Sequence, residues 1–597
     1  MLVAIGGKSM PPIYQGLIQS SSLFLLAGTI LLGAQDTGQQ STPPAPAQTQ
    51  VPAAQAQQLP TAPALKVTTR LVVVDAVVTD HSGKAVTGLK PSDFEILENG
   101  HAQVIRAFGS RDPVPQGKES AAQKLVLPPG VFTNIPQFNP DDGPPTILLI
   151  DALNTQLRDQ AYLRQQLVKY LQSVGPRRNV AIFTLGSRLR LVQDFTTDPA
   201  LLQQAVKRIA NHTSLLNPDP GTQPDTQLAL DSSDPALADM AQSLKDFQAE
   251  QDSFLMDVRV GVTVEALKML AHHVAGFPGR KNLVWLSGAF PFYIAPDTDL
   301  RDPFVSQRQY ADQVRDAATS LTDAQVAVYP VDSRGLVGSL MPDASVRVPN
   351  SRNPGAAMAS TMSKASADLQ NSHDVMSEIA KETGGRAFYN RNDIDHAIAL
   401  SVEDGSAYYT LGYYPEDKRW DGKFRKIEVR VVQKGLQVRN RRGYFATAAA
   451  GTTGSDDKKA ERDFIGSLSL EAPTATAVAF AAQPVPPTKE EPAVVINFGV
   501  DPRSILFQVP EDGLHHAKVD FVTLAFDAKG KIVASQKQTL TTALKPETYA
   551  RIMAGRLLFP EKINLAPGKY TLKMGVWDRQ TNLIGTATGS IEVPPQN

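Results

Sequence analysis

The middle of this chain predicts an α/β fold, a parallel sheet with helices on both faces, on three observations. Unbroken apolar runs recur at Thr146–Ile150 (TILLI), Asn179–Thr184 (NVAIFT), Asn282–Leu286 (NLVWL) and Val326–Val331 (VAVYPV), the pattern of strands buried on both faces. Helical spacing of apolar residues fills the gaps, over Leu157–Val174, Pro199–Ile209, Met256–Val274, Tyr310–Leu321 and Asp374–Thr383. Gly384-Gly385 stops the last of these helices before a short strand, Arg386–Tyr389. Strand and helix in this order require right-handed crossovers, and ligands on such sheets bind beyond the carboxyl ends of the strands.

The elements run as follows. Leu23–Leu32 (LFLLAGTILL) is an uncharged run too short to span a bilayer and suited to a signal-peptide core. Residues 1–34 are therefore read as a signal peptide or anchor, with Ala34 as the cleavage position and Lys8 the only positive charge ahead of the run. Residues 35–65, rich in Pro, Ala and Gln, form a disordered tether. A small all-β module occupies 66–110: Leu71–Val78 leads to a turn at Asp80–Lys84, and Phe94–Glu98 reaches the hairpin signal Asn99-Gly100 before Ala102–Phe108 returns. The α/β domain is expected over 143–445, with Leu189–Phe195 as a further strand, Asp393–Val402 as a helix, and a small terminal sheet from Tyr408–Tyr414, Lys426–Val432 and Val438–Phe445. Two polar segments, 211–248 and 337–366, read as inserted loops. Residues 446–462 read as a linker, and 463–597 as a β-sandwich built on Ile505–Val509, Val519–Phe526, Ile532–Thr539, Tyr570–Asp578 and Thr586–Val593.

Composition narrows the function. With 597 residues the chain has room for three to four domains. Fifty-nine basic against 60 acidic residues leave a net charge of -1, so there is no global field for nucleic-acid backbones. Cysteine is absent, which excludes disulfides, thiolate metal sites and a cysteine nucleophile, and fits an oxidising compartment outside the cytoplasm. The sequence contains no G-x-S-x-G elbow, H-E-x-x-H pair, Walker A loop or strand-coupled G-x-G-x-x-G. Gly6-Gly7-Lys8-Ser9 lacks the leading glycine of a phosphate loop. Adjacent His272 and His273 face different sides of a helix and read as surface or core residues. Asp393, Asp395 and Asp404 read as a solvated face, and Arg439, Arg441 and Arg442 as an exposed strand edge.

One constellation is more specific. Ile150-Asp151-Ala152-Leu153-Asn154-Thr155 follows the first buried strand, and Leu286-Ser287-Gly288 closes the Asn282 strand, so both reach one sheet edge. With Leu89-Lys90-Pro91-Ser92-Asp93-Phe94, Glu98-Asn99-Gly100, Pro278–Gly288 and Arg441-Arg442-Gly443-Tyr444, the chain resembles the von Willebrand factor type A (VWA) domain, in particular the long exported VWA-related proteins of acidobacterial type, over about residues 66–446. The resemblance implies a Rossmann-like α/β domain and a metal-dependent adhesion site of the form Asp-x-Ser-x-Ser, completed by a threonine on a second loop and an aspartate after the fourth strand. Asp151 matches and Thr155 keeps the last hydroxyl, but Leu153 replaces the middle serine and Ser287 stands where an aspartate is expected. Thr263 is the candidate second threonine, although it falls within a helix. The expected metal residues are thus Asp151, Thr155 and Ser287, holding Mg²⁺ or Mn²⁺ weakly in a degenerate site; the other reading is that Asp151 and Thr155 only cap the following helix.

These features lead to an exported, non-enzymatic binding, adhesion or envelope-assembly protein that is secreted, periplasmic or in the cell envelope. Its partner would be a protein or glycan and not a nucleic acid, with membrane contact only through an uncleaved N-terminal segment. The alternative is a secreted hydrolase whose site is built from the 211–248 and 337–366 segments.

Overall fold

The structure, a computed structural model, describes residues 71–595 other than 112–126, 137–142, 174–178, 211–213, 215, 217–233, 291–292, 295–300, 303–306, 337–353, 448–453 and 511. The expected signal peptide and tether, and much of the two expected insertions, lie outside the described residues.

Strands β1 (Val72–Thr79), β2 (Phe94–Glu98), β3 (His101–Gln103) and β4 (Ile105–Arg111) open the chain, and Asn99 and Gly100 both take positive φ as the hairpin signal requires. After β5 (Phe132–Thr133) the α/β domain runs β6 (Thr146–Asp151), α1 (Leu157–Ser173), β7 (Val180–Leu185), β8 (Leu189–Thr196), α2 (Pro199–Arg208), α3 (Pro235–Val274) and β9 (Lys281–Ser287). The two-residue strands β10 (Tyr293–Ile294) and β11 (Arg308–Gln309) precede α4 (Ala311–Asp323), β12 (Val326–Asp332), α5 (Pro354–Thr383) and α6 (Ile394–Asp404). The sheet order is β12-β9-β6-β7-β8, parallel except for β8, with Phe388 bridging in parallel to Val331 beyond β12. Numbered by appearance this is 3-2-1-4-5, a doubly wound order whose direction reverses between β6 and β9. Alternate residues feed two cores. Leu149, Phe183 and Trp285 pack under α3, α4 and α5, and Leu148, Ile182 and Val284 under α1, α2 and α6.

The two expected insertions are partly helical. Pro235 at the first turn and Asp234, whose side chain accepts from the Ala236 amide, start α3 about twenty residues before the expected Met256. Likewise α5 begins at Pro354 instead of Asp374.

Pairing across the chain also corrects the expected domains. Strands β13 (Tyr408–Tyr413), β14 (Asp421–Val431), β15 (Gln437–Asn440) and β16 (Gly443–Thr447) do not form a separate small sheet. They interleave with the first four strands as β15-β1-β13-β4 and β16-β14-β2-β3, and the two sheets share one core of Val74, Phe94, Ile96, Tyr409, Leu411 and Val429. Arg111 pairs with Tyr408, so the chain leaves and re-enters this β domain at directly opposed ladder positions. The α/β domain is an insertion in it. Of the expected exposed arginine edge, Arg442 is exposed and pairs with Glu382, whereas Arg439 pairs with Asp404 and Arg441 donates to the Val73 carbonyl beside a cavity of about 20 Å³ that Asp75 and Arg280 also line.

The expected linker gives way at residue 454 to α7 (Gly454–Ser467), whose Phe464 packs with Leu468 against Trp577 on the outside of the C-terminal domain. That domain comprises β17 (Phe480–Val485), β18 (Val494–Val500), β19 (His515–Phe526), β20 (Ile532–Leu544), α8 (Pro546–Met553), β21 (Leu557–Ile563), β22 (Gly568–Asp578) and β23 (Ile584–Val593). Its sheets, β21-β18-β17-β5 and β20-β19-β22-β23, enclose Phe480, Phe498, Phe521 and Met574. The expected strand at Ile505–Val509 is reduced to a bridge between Gln508 and His516. Side chains at the end of α3 and on the segment that follows β5 help fix this domain to the rest. The end of α3 meets it where Gly276 leaves no room for a Cβ, which would lie 2.2 Å from the Thr476 carbonyl oxygen, and His273 stacks on Phe195 with Nδ1 2.7 Å from the Thr474 carbonyl. The buried Asn134 next to β5 donates to the carbonyls of Ala475 and Val478 and accepts from the Phe480 amide. Asn134→Ala is expected to cost about 1 to 2 kcal/mol of C-terminal-domain stability, read by denaturant unfolding; an unchanged midpoint would show that β5 is dispensable.

Candidate functional site at the carboxyl edge of the sheet

At the reversal point, β6 and β9 deliver Asp151 and Ser287 to the same place. Asp151 is fully buried. Its Oδ1 accepts from the Asn154 backbone amide at 3.0 Å. Its Oδ2 lies 2.9 Å from Asn154 Nδ2, 3.0 Å from the Trp285 indole nitrogen and 3.0 Å from the Ser287 hydroxyl. Thr155 holds the neighbouring strand end, its Oγ1 accepting from the Gly288 amide at 2.9 Å. Leu153 points into the core with no exposure, which explains its place where the resemblance would put a hydroxyl.

Two α3 residues complete the network. Thr263 Oγ1 accepts from Asn154 Nδ2 at 3.0 Å, so this threonine reaches the site from a helix and not from a loop. Arg259 Nε donates to Asn154 Oδ1 at 3.2 Å. Burial pushes the Asp151 carboxyl up against the pull of its four donors, and burial pushes the Arg259 guanidinium down against the favourable charge of Asp151.

The structure therefore brings Asp151, Thr155 and Ser287 together, in an arrangement that does not fit a divalent cation. The Asp151 oxygens face N–H and O–H donors, Thr155 Oγ1 faces an amide hydrogen, and the nearby positive charge is the Arg259 guanidinium. The described residues contain no group of three or more His, Asp or Glu side chains able to hold a metal.

A second strand-end aspartate escaped the sequence reading. Asp332 closes β12 as Asp151 closes β6, and Arg334 grips both its oxygens at 2.9 and 2.8 Å while His373 Nε2 lies 3.2 Å away. Burial raises the Asp332 carboxyl, but His373 and then Arg334 outweigh it and hold it below its ordinary range. His373 stacks on Tyr389 with centroids 4.2 Å apart. The signal was available, an aspartate closing the VAVYPV run as one closes TILLI. Asp393 and Asp395 do lie on a charged face, paired with Arg391 and Lys169, whereas Asp404 turns inward to the Tyr329 hydroxyl.

Beyond the strand ends three apolar side chains are exposed, Leu157 at the start of α1 and Leu336 and Tyr389 on the connections that follow β12 and α5. The loops are tied to one another: Leu336 N donates to Asn392 Oδ1, and the Tyr162 hydroxyl to the Asn392 carbonyl.

No family model matches the chain, and no curated protein matches it. Among solved structures, the chain is similar to an aerotolerance-related membrane protein from Bacteroides fragilis at 14% identity, covering 44% of this chain and 98% of that one with a TM-score of 0.21. It is similar to the conserved hypothetical protein BatB from Bacteroides thetaiotaomicron at 10% identity, covering 44% and 98% with a TM-score of 0.20. It is similar to a von Willebrand factor type A structure from Catenulispora acidiphila at 10% identity, covering 55% and 73% with a TM-score of 0.17. Similarity at this level decides neither fold nor function. Among the described residues no helix is long and apolar enough to cross a membrane.

Proposed function

We propose that this chain is an exported, non-enzymatic binding or envelope-assembly protein of VWA type: a β domain carrying an inserted VWA-like α/β domain, followed by a C-terminal β-sandwich. The observation that carries the reading is the convergence of Asp151 and Ser287, 3.0 Å apart, at the one point where the doubly wound sheet reverses direction. The partner, a protein or a glycan, docks on the edge formed by Leu157, Leu336 and Tyr389. The Asp151 network beneath holds the loops in shape, with Asn154 and Arg259 in the place where the VWA resemblance puts a metal. Export rests on the Leu23–Leu32 run and the absence of cysteine.

Immobilised wild-type chain and the double variant Leu336→Glu/Tyr389→Glu, presented with a glycan array and with solubilised envelope proteins, test the reading. The wild type should retain a partner that the variant loses by at least about tenfold, a difference of roughly 1.4 kcal/mol, and retention should be equal in Mg²⁺ and in EDTA. Equal binding by both chains would remove this edge as the docking surface, and loss in EDTA would restore the metal.

A further inference from the structure

Helix α3 is 40 residues long, about 60 Å at the usual rise, and its two halves serve different purposes. The second half is the core half, with Val260, Val264, Leu267, Leu270 and Val274 buried under the sheet. The first half carries five of the chain's exposed large apolar side chains: Leu237 at 52%, Met240 at 72%, Leu244 at 43%, Phe247 at 61% and Phe254 at 63%. Gln251 fills the one remaining step, so the spacing runs 3-4-3-4-3 without a break. That is an a/d seam. Turning about 100° per residue, the seam lies roughly opposite the buried face of the same helix and points away from its own domain.

We infer that this seam pairs with the same seam of a second copy of the chain, as a parallel two-helix contact. The side of the helix bearing Asp239 and Asp246 is already taken by Arg301, which leaves the apolar side for a partner. Charge permits self-pairing, because the flanking residues Ala241, Ser243, Gln248 and Glu250 include a single charge, and two copies meet without a block of like sign. Area permits it too: five half-exposed large side chains contribute roughly 500 Å² per copy, and a seam of on the order of 1,000 Å² in total reaches the lower bound of a stable specific interface. Gln251 fixes the direction. In parallel register it meets its own copy, whose amide offers both donor and acceptor, whereas an antiparallel seam centred on the same stripe sets it against Met240 and leaves the amide unsatisfied.

Sedimentation velocity of the full chain tests the inference. The wild type should sediment as a dimer at tens of micromolar, and Leu244→Glu/Phe247→Glu should be monomeric with an unchanged helical circular dichroism signal. Because the chain has no cysteine, Gln251→Cys carries a single thiol and should oxidise to a covalent dimer, while Gln242→Cys, off the seam, should not. A monomeric wild type overturns the inference. So does a dimer that survives the two glutamates, or a loss of thermal stability in the variant at a dilution where the wild type is itself monomeric, since that result would mean the chain covers the stripe itself.

Discussion

Replacing Asp151 by alanine should lower the unfolding free energy of the α/β domain by about 4 kcal/mol, the largest effect expected of any single change at the sheet edge. The residue is fully buried and accepts from the Asn154 amide, Asn154 Nδ2, the Trp285 indole and the Ser287 hydroxyl. Alanine leaves the Trp285 N–H and the Asn154 amide without their acceptor, each worth about 1 to 3 kcal/mol, and relaxation recovers only part of this because the two strands are held by neighbours on both sides. Asp151→Asn keeps the shape but turns an NH₂ towards existing donors, and should destabilise almost as much. A domain stable by about 5 to 15 kcal/mol does not lose 4 without consequence. Urea unfolding of both variants, followed by helical circular dichroism, measures it. A shift below about 1 kcal/mol would mean that the carboxylate is not the tie between strand ends.

Glu561→Gln should do the reverse and stabilise the C-terminal domain by up to about 3 kcal/mol at neutral pH. Glu561 is fully buried on β21, with Oε2 accepting from the Thr523 hydroxyl at 2.5 Å and Oε1 left without a partner. Burial pushes its carboxyl from an ordinary 4.5 up to about 8, more than Thr523 pulls it down. The native state therefore holds a proton that the unfolded chain has already released between those two values. Stability from this group is complete below about pH 4.5, declines as pH rises, and is flat above about 8. Glutamine removes the slope. Melting temperatures from pH 5 to 8 should fall more steeply for the wild type than for the variant, and parallel curves would show that the carboxyl is not protonated in the folded chain.

The legible parts of this fold were those with local signals. TILLI, NVAIFT, NLVWL and VAVYPV declare buried strands, and Asp151 and Ser287 could be placed at one edge because each closes such a run. Direction could not be read. Nothing in the composition says that the Trp285 indole turns towards Asp151, or that Arg259 and Thr263, inside a helix, reach over to Asn154. The first half of α3 read as a loop because its seam of Leu237, Met240, Leu244 and Phe247 is interrupted by polar residues and its apolar face is not the one its second half buries. The β domain was split in two because the pairing of β1 with β13 leaves no mark within either segment. In the C-terminal domain, β17, β18 and β21 contain or adjoin prolines and charges, which mask a strand period that tertiary pairing nonetheless enforces.

The opposed positions of Arg111 and Tyr408 set a timetable for folding. Asp75 on β1 finds its hydroxyl partner Thr410 335 residues later, so the first strands to be synthesised are among the last to be paired. The inserted α/β domain, whose sheet strands all lie between Thr146 and Asp332, can close first, and its closure brings the two halves of the host together at directly opposed ladder positions. Until then β1, carrying Val72, Val74 and Val78, and β4, carrying Ile105 and Phe108, are unpaired edges, the kind of surface that recruits another chain. A nascent chain stalled before residue 408 is therefore expected to hold a finished α/β domain and two adhesive unpaired strands, β1 and β4, so that its hazard during biogenesis is mispairing between neighbouring copies rather than slow collapse of its core.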